Sequence, residues 1–210
     1  MPTNSIPSKI KSLLDLIRFD KPIGFALLVW PCWFSLASLP INPLQNLKWY
    51  FLFLVGSFLM RGAGCIINDL VDIKLDEKVK RTSQRPLVVK SVKISEAIIF
   101  LALLLILSLL VLIQFNLKAI IIGILSIPLV VLYPYMKRVT YWPQLVLGII
   151  FNWGVLIVSM QFNGYLSTSS IILYLGCIFW TLGYDTIYAY QDLKDDINHN
   201  IKSTAVLLGD

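Results

Sequence analysis

The sequence predicts an all-α membrane protein, a multi-span transmembrane helical bundle with about six spans. Of its 210 residues, 57% are hydrophobic and 14% are charged, whereas a soluble domain has roughly 25% charged residues. The mean hydropathy is +0.76. The apolar residues also form stretches that are long enough to cross about 30 Å of hydrocarbon, which takes roughly 20 helical residues. These observations exclude a water-soluble globule and a disordered chain.

Six such stretches follow one another along the chain. They lie at approximately 23–40, 49–67, 97–115, 119–135, 143–161 and 171–190. The third stretch contains no charged residue, Pro or Gly, which is typical of a helix that faces lipid. We therefore expect a single transmembrane domain over 1–210.

The basic residues are concentrated on one side of these spans. Of the 18 Lys and Arg residues, 15 lie before the first span, between the second and third, between the fourth and fifth, or after the sixth. The positive-inside rule then places both ends of the chain in the cytoplasm. The net charge of +6 therefore indicates membrane orientation and contact with lipid, and we expect no nucleic-acid partner.

The three cysteines, Cys32, Cys65 and Cys177, lie far apart in apolar stretches. Their odd number and their spacing fit neither a disulfide framework nor a zinc site. We expect them to be small buried core residues.

A first cluster of acidic residues follows the second span. If the helix continues, Asn68 or Asp69, Asp72 and Asp76 lie above one another on one face. Stacked like charges destabilise a helix by a few tenths of a kcal/mol per pair, so this cluster needs a compensating cation or solvent. Carboxylate and amide oxygens suit Mg²⁺, which binds one or two protein carboxylates together with substrate phosphates.

A second acidic cluster follows the sixth span. Its members repeat every three or four residues and would share one helix face: Asp185, Tyr188, Asp192, Asp195 and Asp196. Two facing clusters at the same side of the membrane would hold a metal-bound diphosphate between them. The alternative interpretation is a pair of solvated acidic helix ends.

Two basic segments lie on the same side. The loop that carries Lys80, Arg81 and Arg85 could neutralise phosphate oxygens, or it could be an ordinary positive-inside loop that touches anionic lipid. In the connection between the fourth and fifth spans, Lys137 and Arg138 lie among Tyr and Trp residues. The planar guanidinium of Arg138 suits a carboxylate, although aromatic residues at this depth also form interfacial belts.

Arg61 lies within the second span, seven residues before Asn68. An arginine inside a span usually faces the protein interior or a wet cavity, at a cost of roughly 2.5 to 3.5 kcal/mol on insertion scales. Its long side chain could also extend to the interface. The sequence leaves both interpretations open.

These motifs resemble a known family. The pattern Asn68-Asp69-x-x-Asp72-x-x-x-Asp76, followed by Lys80-Arg81-Thr82-x-x-Arg85-Pro86, is similar to the first signature of the UbiA superfamily of intramembrane aromatic prenyltransferases. Asp192-x-x-x-Asp196 is similar to the second. Further stretches, at 20–24, 133–138, 142–148, 184–189 and 201–205, resemble the members that prenylate para-hydroxybenzoate in the ubiquinone pathway.

The resemblance implies a helical fold around a cavity that is open laterally to lipid. It implies transfer of a polyprenyl group from polyprenyl diphosphate to the ring carbon ortho to the hydroxyl of para-hydroxybenzoate, with release of diphosphate. The location would be the bacterial inner membrane or its organellar equivalent, with the active-site loops on the cytoplasmic side.

The resemblance also implies roles for individual residues. Mg²⁺ would be bound by the metal set Asn68, Asp72, Asp76, Asp192 and Asp196. Arg138 would bind the benzoate carboxylate and Asp192 would act near the phenol, so these two are the candidate catalytic residues. The candidate substrate-binding residues are Arg138, Lys80, Arg81, Arg85, Lys137, Arg61 and Tyr188.

The sequence departs from the family pattern in two ways. The family generally has about nine spans, whereas six are predicted here, so we expect either a truncated relative that lacks the C-terminal helices or a chain whose remaining part is supplied elsewhere. Asn200 also stands where the family usually has Gly, and Asn tolerates a left-handed backbone better than most residues. Two alternatives to the enzyme therefore stay open, a catalytically inactive truncated relative and a cation transporter whose acids line an ion path.

Overall fold

The computed structural model describes residues 8–40 and 42–209, and within these ranges the only regular secondary structure is helical. Short 3₁₀ turns lie at Leu44–Asn46 and Tyr190–Asp192. The α-helices are α1 (Ser8–Leu16), α2 (Ile23–Ala37), α3 (Leu47–Asp76), α4 (Ile94–Leu112), α5 (Leu117–Val139), α6 (Pro143–Phe151), α7 (Gly154–Phe162), α8 (Thr168–Ala189), α9 (Leu193–Asn198) and α10 (Thr204–Leu208).

Each predicted span coincides with a helix, and α6 and α7 together form the fifth. Five segments are long and apolar enough to cross a membrane: Leu44–Asp76, Ile94–Leu112, Leu117–Val139, Pro143–Phe162 and Thr168–Asn198. Helix α2 is equally apolar but has 15 residues, which at 1.5 Å per residue is about 22 Å. The helical membrane bundle is confirmed, whereas the count of six spans and the cytoplasmic placement of the ends stay predictions.

Successive spans run in opposite directions, with α6 and α7 taken as one span, so the starts of α2, α4 and α6 and the ends of α3, α5 and α8 meet at one end of the bundle. We call this the polar end. Helix α3 continues through Asp76 over 30 residues, which confirms that the first acidic cluster lies on a helix. The loop 77–93 and the C-terminal segment 190–209 cover the same end.

Two hydrophobic clusters hold the bundle together. One lies near the polar end, where Leu16, Ile66 and Leu104 join α1, α3 and α4. The other lies at the opposite end and contains Leu36, Phe53, Phe115, Ala119 and Val158. Burial of a large apolar side chain stabilises a soluble fold by about 1.5 to 3 kcal/mol, but in lipid the gain comes chiefly from close packing between helices.

The basic loop 77–93 is packed onto the bundle. Val79 and Thr82 are buried on either side of Arg81, and Thr82 Oγ1 donates a hydrogen bond to the backbone oxygen of Asp76 at 3.1 Å. Leu87 and Val92 belong to the hydrophobic cluster near the polar end. This anchoring fixes the positions from which the loop presents its arginines.

The fifth span is interrupted between α6 and α7. Asn152 is fully buried at the break, and its Nδ2 lies 2.7 Å from the oxygen of Gly148, 3.1 Å from the oxygen of Cys177 and 2.9 Å from Thr181 Oγ1. A Cβ atom on Gly154 would lie 2.2 Å from Cys32 Sγ. A glycine at this position therefore allows α2 and α7 to pack closely.

Two smaller expectations are confirmed. All three cysteines are buried and free. Asn200 adopts a left-handed backbone conformation, with φ +53°, so the turn that the family usually makes with Gly is retained. Beyond this turn the Lys202 amide donates to the Lys137 oxygen at 2.8 Å, which ties the C-terminal segment to α5.

Candidate functional site

A cavity of about 1140 Å³ extends from the polar end into the bundle. Its deeper walls are apolar and come from α3, α4 and α5, while its mouth carries charged residues of α3, the loop 77–93, α8 and α9. Predicted site residues in its wall are Asn68, Asp76, Arg81, Arg85, Lys137, Tyr188, Asp192, Asp196 and Arg61. Three predicted site residues, Asp72, Lys80 and Arg138, lie outside the wall.

The carboxylate of Asp72 joins α3 to α5. It is fully buried and accepts hydrogen bonds from Lys137 Nζ and, at 3.1 Å, from Arg138 Nη2. Arg138 is half exposed, and its guanidinium lies 5.7 Å from the ring centroid of Tyr135. In this arrangement Arg138 and Asp72 bind each other outside the cavity, whereas Lys137 is both paired and in the wall.

The other two carboxylates of the first cluster share Arg85. Its Nη1 donates to Asp76 Oδ2 at 2.6 Å and to Asp69 Oδ1 at 3.0 Å. Arg18 Nη2 donates to the same Asp69 oxygen at 2.6 Å. Arginines of the protein therefore supply the compensating positive charge that stacked carboxylates require.

The sequence had not singled out Arg18 as a site residue. Burial by itself would lower the pKa of its guanidinium, but the hydrogen bond to Asp69 and the charge of that carboxylate outweigh burial and raise the pKa. Arg18 stays charged in a partly buried position in the cavity wall. Its sequence position, just before the first span, gave no signal because the contact joins residues 51 positions apart.

The second acidic cluster does not lie on one continuous helix, contrary to the prediction. Helix α8 ends at Ala189, and the 3₁₀ turn Tyr190–Asp192 precedes α9. A 3₁₀ turn has three residues per turn rather than 3.6, so it changes the register of the side chains. Asp185, Tyr188, Asp192 and Asp196 still line the cavity, but Asp195 does not.

Arg81 connects the two clusters across the mouth of the cavity. Its Nε donates to Asp192 Oδ1 at 2.8 Å and its Nη2 to Oδ2 at 2.5 Å, a bidentate pair. The hydrogen bond to Asp192 raises the pKa of the guanidinium despite partial burial. The ring centroid of Tyr188 lies 5.8 Å from Arg81 Cζ.

Asp196, the other carboxylate of the second cluster at the mouth, accepts a hydrogen bond from Ser203 Oγ at 3.1 Å.

The oxygen donors around the mouth suit Mg²⁺. Three carboxylates and one amide line it, from Asp76, Asp192, Asp196 and Asn68. Within residues 8–40 and 42–209, no three His, Cys, Asp or Glu side chains gather closely enough to hold a metal by themselves. In proteins Mg²⁺ typically takes one or two carboxylates and completes its shell with water and substrate phosphate oxygens.

Arg61 lies in the cavity wall, which is one of the two positions that the sequence left open. Its guanidinium is 5.5 Å from the ring centroid of Phe151. A Cβ atom on Gly24 would lie 2.6 Å from Arg61 Nε, so glycine gives the guanidinium room against α2. Tyr133 and Asp185 line the same part of the cavity, which makes it a polar site within an otherwise apolar wall.

The chain matches the model of the UbiA prenyltransferase family over residues 28–210. It is 49% identical over 207 residues to the mitochondrial 4-hydroxybenzoate polyprenyltransferase of Caenorhabditis elegans, covering 98% of this chain and 58% of the relative. It is 45% identical to the corresponding Arabidopsis thaliana protein, covering 98% of this chain and 51% of the relative. The 4-hydroxybenzoate octaprenyltransferase of Pseudomonas savastanoi is 42% identical, with 99% and 70% covered.

Solved structures show a similar fold. A UbiA homologue from Aeropyrum pernix, in its apo form, superposes with a TM-score of 0.69 at 23% identity, covering 97% of this chain and 72% of that one. A structure of digeranylgeranylglyceryl phosphate synthase gives a TM-score of 0.67 at 22% identity, and the match covers 95% of this chain and 69% of that one.

The chain spans about half the length of the mitochondrial relatives it matches. The family match covers most of the chain and includes both acidic clusters. The protein therefore belongs to the UbiA prenyltransferase family.

Proposed function

We propose that this protein transfers a polyprenyl group from polyprenyl diphosphate to 4-hydroxybenzoate, at the ring carbon ortho to the hydroxyl, with release of diphosphate and dependence on Mg²⁺. One observation carries the proposal: members of both acidic clusters and three basic side chains line the mouth of one cavity whose interior is largely apolar. The names of the full-length relatives supply the class of substrate.

The mouth suits a diphosphate. Arg81, Arg85 and Lys137 line it, and each can donate charge-assisted hydrogen bonds to phosphate oxygens. Negative charge accumulates on the diphosphate as the allylic C–O bond breaks, and fixed cations stabilise that charge in the transition state. In the described structure these cations are paired with Asp192, Asp76 and Asp72. The pair of Arg81 with Asp192 is the most exposed of the three, so we expect Arg81 to exchange its carboxylate for a phosphate most readily.

Mg²⁺ would be held by oxygens of Asn68, Asp76, Asp192 and Asp196, and it would supply further positive charge to the leaving diphosphate. Asp72 lies outside the wall and contributes in this structure by holding Lys137. We assign Asp72 to positioning of that lysine, with metal binding as the alternative that the sequence motif favours.

The apolar part of the cavity suits an isoprenoid tail. Ile106 of α4 and Ile124 of α5 line the cavity, and their exposed fractions are 58% and 47%. These exposed apolar side chains of α4 and α5 support our proposal that the cavity opens there towards the surrounding lipid. A tail of any length could therefore extend from the cavity into the bilayer.

The acceptor requires a cation for its carboxylate and a base for its phenol. Arg61 lies inside the cavity, whereas Arg138 lies outside its wall and is paired with Asp72. We therefore favour Arg61 as the carboxylate ligand and retain Arg138 as the residue that the family motif indicates. Asp192 is the candidate base, as the alternative to its role as a Mg²⁺ ligand: its carboxylate would accept the phenolic proton, which makes the ring more nucleophilic. After the C–C bond forms, loss of the proton on the prenylated ring carbon and return of a proton to the phenolate oxygen restore the aromatic phenol.

The experiment is a prenyl-transfer assay with membranes that contain this 210-residue chain, 4-hydroxybenzoate and geranyl diphosphate, with Mg²⁺ or with EDTA. We expect a prenylated benzoate with Mg²⁺ and none with EDTA. Membranes that contain the full-length Caenorhabditis elegans relative are the positive control. Product from the relative but none from this chain would contradict the proposal for the chain as it stands.

Arg61 and Arg138 are compared in the same assay. We expect Arg61→Gln to raise the KM for 4-hydroxybenzoate at least tenfold, the effect of losing about one charge-assisted hydrogen bond, with a smaller increase for Arg138→Gln. A larger increase in KM for Arg138→Gln than for Arg61→Gln would show that Arg138, and not Arg61, binds the carboxylate of 4-hydroxybenzoate.

A further inference from the structure

Asp69 lies between two predicted ligands, Asn68 and Asp72, but it does not reach the cavity. Its exposed fraction is 1%, and it is absent from the cavity wall. Both of its partners, Arg18 and Arg85, do line the cavity. Any influence of Asp69 on a bound substrate must therefore act through these two arginines.

The backbone directs Arg18 towards Asp69. Arg18 has φ +58°, a left-handed conformation that residues other than Gly, Asn and Asp rarely adopt. A backbone hydrogen bond from Lys21 to the Arg18 oxygen, at 2.9 Å, closes the turn between α1 and α2. Arg18 Nη1 also donates to the Leu16 oxygen at 2.8 Å. The guanidinium is thus fixed at two points, and among residues 8–40 and 42–209 its remaining N–H groups have no acceptor, so they can serve an anion.

A shared carboxylate keeps two like charges close together. Arg18 and Arg85 both donate to Asp69 Oδ1, at 2.6 Å and 3.0 Å. Two guanidinium groups that contact the same oxygen atom lie close enough to repel each other, and the negative charge of the carboxylate between them offsets that repulsion. Asp69 is that anion in the protein interior, so the pair remains in the cavity wall before any substrate is present.

We propose that Asp69 is a positioning residue that holds Arg18 and Arg85 in the wall of the cavity, and that Arg18 is a further contact for the diphosphate of the substrate. The proposal rests on the proposed function in that it takes the mouth of the cavity to be the diphosphate site. It assigns roles to two residues that lie outside the predicted metal and substrate sets.

The substitution Asp69→Asn distinguishes a positioning role from a purely electrostatic one. The two roles predict opposite changes in the affinity for diphosphate. Asn has nearly the same shape and removes one negative charge near an anion site. If Asp69 acted only through its charge, the affinity for diphosphate would rise. If Asp69 positions the two arginines, the affinity falls, since a neutral amide holds a guanidinium less firmly.

The experiment measures binding of inorganic diphosphate to the purified chain in detergent, by calorimetry, with and without Mg²⁺. The variants are Asp69→Asn, Arg18→Gln, Arg18→Lys and the double variant Asp69→Asn/Arg18→Gln. Lys9→Gln is the matched control, because Lys9 is an exposed residue that pairs with the partly exposed Glu96 and lies outside the cavity wall.

We expect Asp69→Asn and Arg18→Gln each to weaken binding roughly tenfold, about the effect of one charge-assisted hydrogen bond. Lysine at position 18 should restore part of the affinity, since it keeps the charge but not the planar fork. The double variant should lose less than the product of the two single losses, because residues that act through one contact are not additive. Lys9→Gln should bind as the unaltered chain does.

Unchanged or tighter binding by Asp69→Asn would overturn the positioning role. If that variant does not fold, Arg18→Gln decides, and binding equal to that of the unaltered chain would overturn the proposal. So would an unaltered chain that binds no diphosphate. Diphosphate binding that depends on Arg18 and Asp69 in a chain without prenyl transfer would contradict the proposed function and leave this inference standing.

Discussion

The two acidic clusters differ in how they are held. The carboxylates of the first, on α3, are at most 4% exposed and pair with basic side chains from three separate parts of the chain. In the second, Asp192 pairs with Arg81, whose side chain is 44% exposed, and Asp196 accepts a hydrogen bond from a serine. Asp196 is also buried, at 8% exposure, so the pair of Asp192 with Arg81 is the part of the second cluster that lies at the margin of the packed interior.

This difference indicates a division of labour within one site. Breaking a buried ion pair leaves an uncompensated charge and costs about 3 to 5 kcal/mol, so the first cluster cannot rearrange cheaply. The Arg81–Asp192 pair is only partly buried, with side chains that are 44% and 17% exposed, so Asp192 can exchange Arg81 for another cation at a lower cost than a fully buried carboxylate could. We expect the first cluster to define the shape of the site and the second to respond to what binds there.

The most severe test of this comparison is Asp72→Asn. The substitution leaves Lys137 and Arg138 without their shared carboxylate, and we expect a loss of roughly 3 to 5 kcal/mol in stability together with loss of prenyl transfer. Thermal unfolding in detergent and the transfer assay measure the two effects. Glu77→Gln, at an exposed position just beyond α3, is the control, and it should match the unaltered chain in both.

An intermediate effect is expected for Asp192→Asn. Because the pair with Arg81 is partly exposed, stability should change by no more than about 1 kcal/mol. Prenyl transfer should fall by about 100-fold or more, the usual contribution of a general base. Asp195→Asn, three residues further along and outside the cavity wall, provides the control. A large drop in melting temperature for Asp192→Asn would show that the second cluster is as structural as the first.

The smallest effect is expected for Ser203→Ala. Ser203 Oγ donates to Asp196 at 3.1 Å and accepts from the amide of Val206 at 3.3 Å, at the start of α10. Loss of an N-cap of this kind costs about 1 kcal/mol, and prenyl transfer should fall only a few-fold. Ser38→Ala, at the opposite end of the bundle, should leave transfer unchanged. An effect on transfer as large as that of Asp192→Asn would mean that Asp196 depends on one precise orientation.

The helices and the family motifs could be predicted from sequence because both signals are local. An apolar stretch of sufficient length predicts a helix wherever its neighbours lie, and the spacing of Asp72 and Asp76 is readable along the chain. The interruption at Asn152 could not be predicted in the same way. It depends on partners in α8, Cys177 and Thr181, that lie 25 and 29 residues further on.

The sequence predicted which charged residues gather at the site but not which of them form ion pairs. Spacing placed carboxylates and basic residues at one end of the bundle, yet it did not reveal which of them pair. The contact of Arg81 with Asp192 spans 111 residues, and only the packing of the loop 77–93 determines it. For the same reason the sequence could not show that Asp72 and Arg138 bind each other; their roles towards a substrate stay predictions.

The break at Asn152 has a consequence for how this chain enters a membrane. Helices α6 and α7 have nine residues each, about 14 Å at 1.5 Å per residue, so neither half crosses the hydrocarbon alone. Polar groups without partners are costly in lipid, and the amide of Asn152 finds two of its three acceptors only in α8. Insertion of Pro143–Phe162 is thus completed by the arrival of the next span, and the two are expected to leave the translocation machinery as a pair.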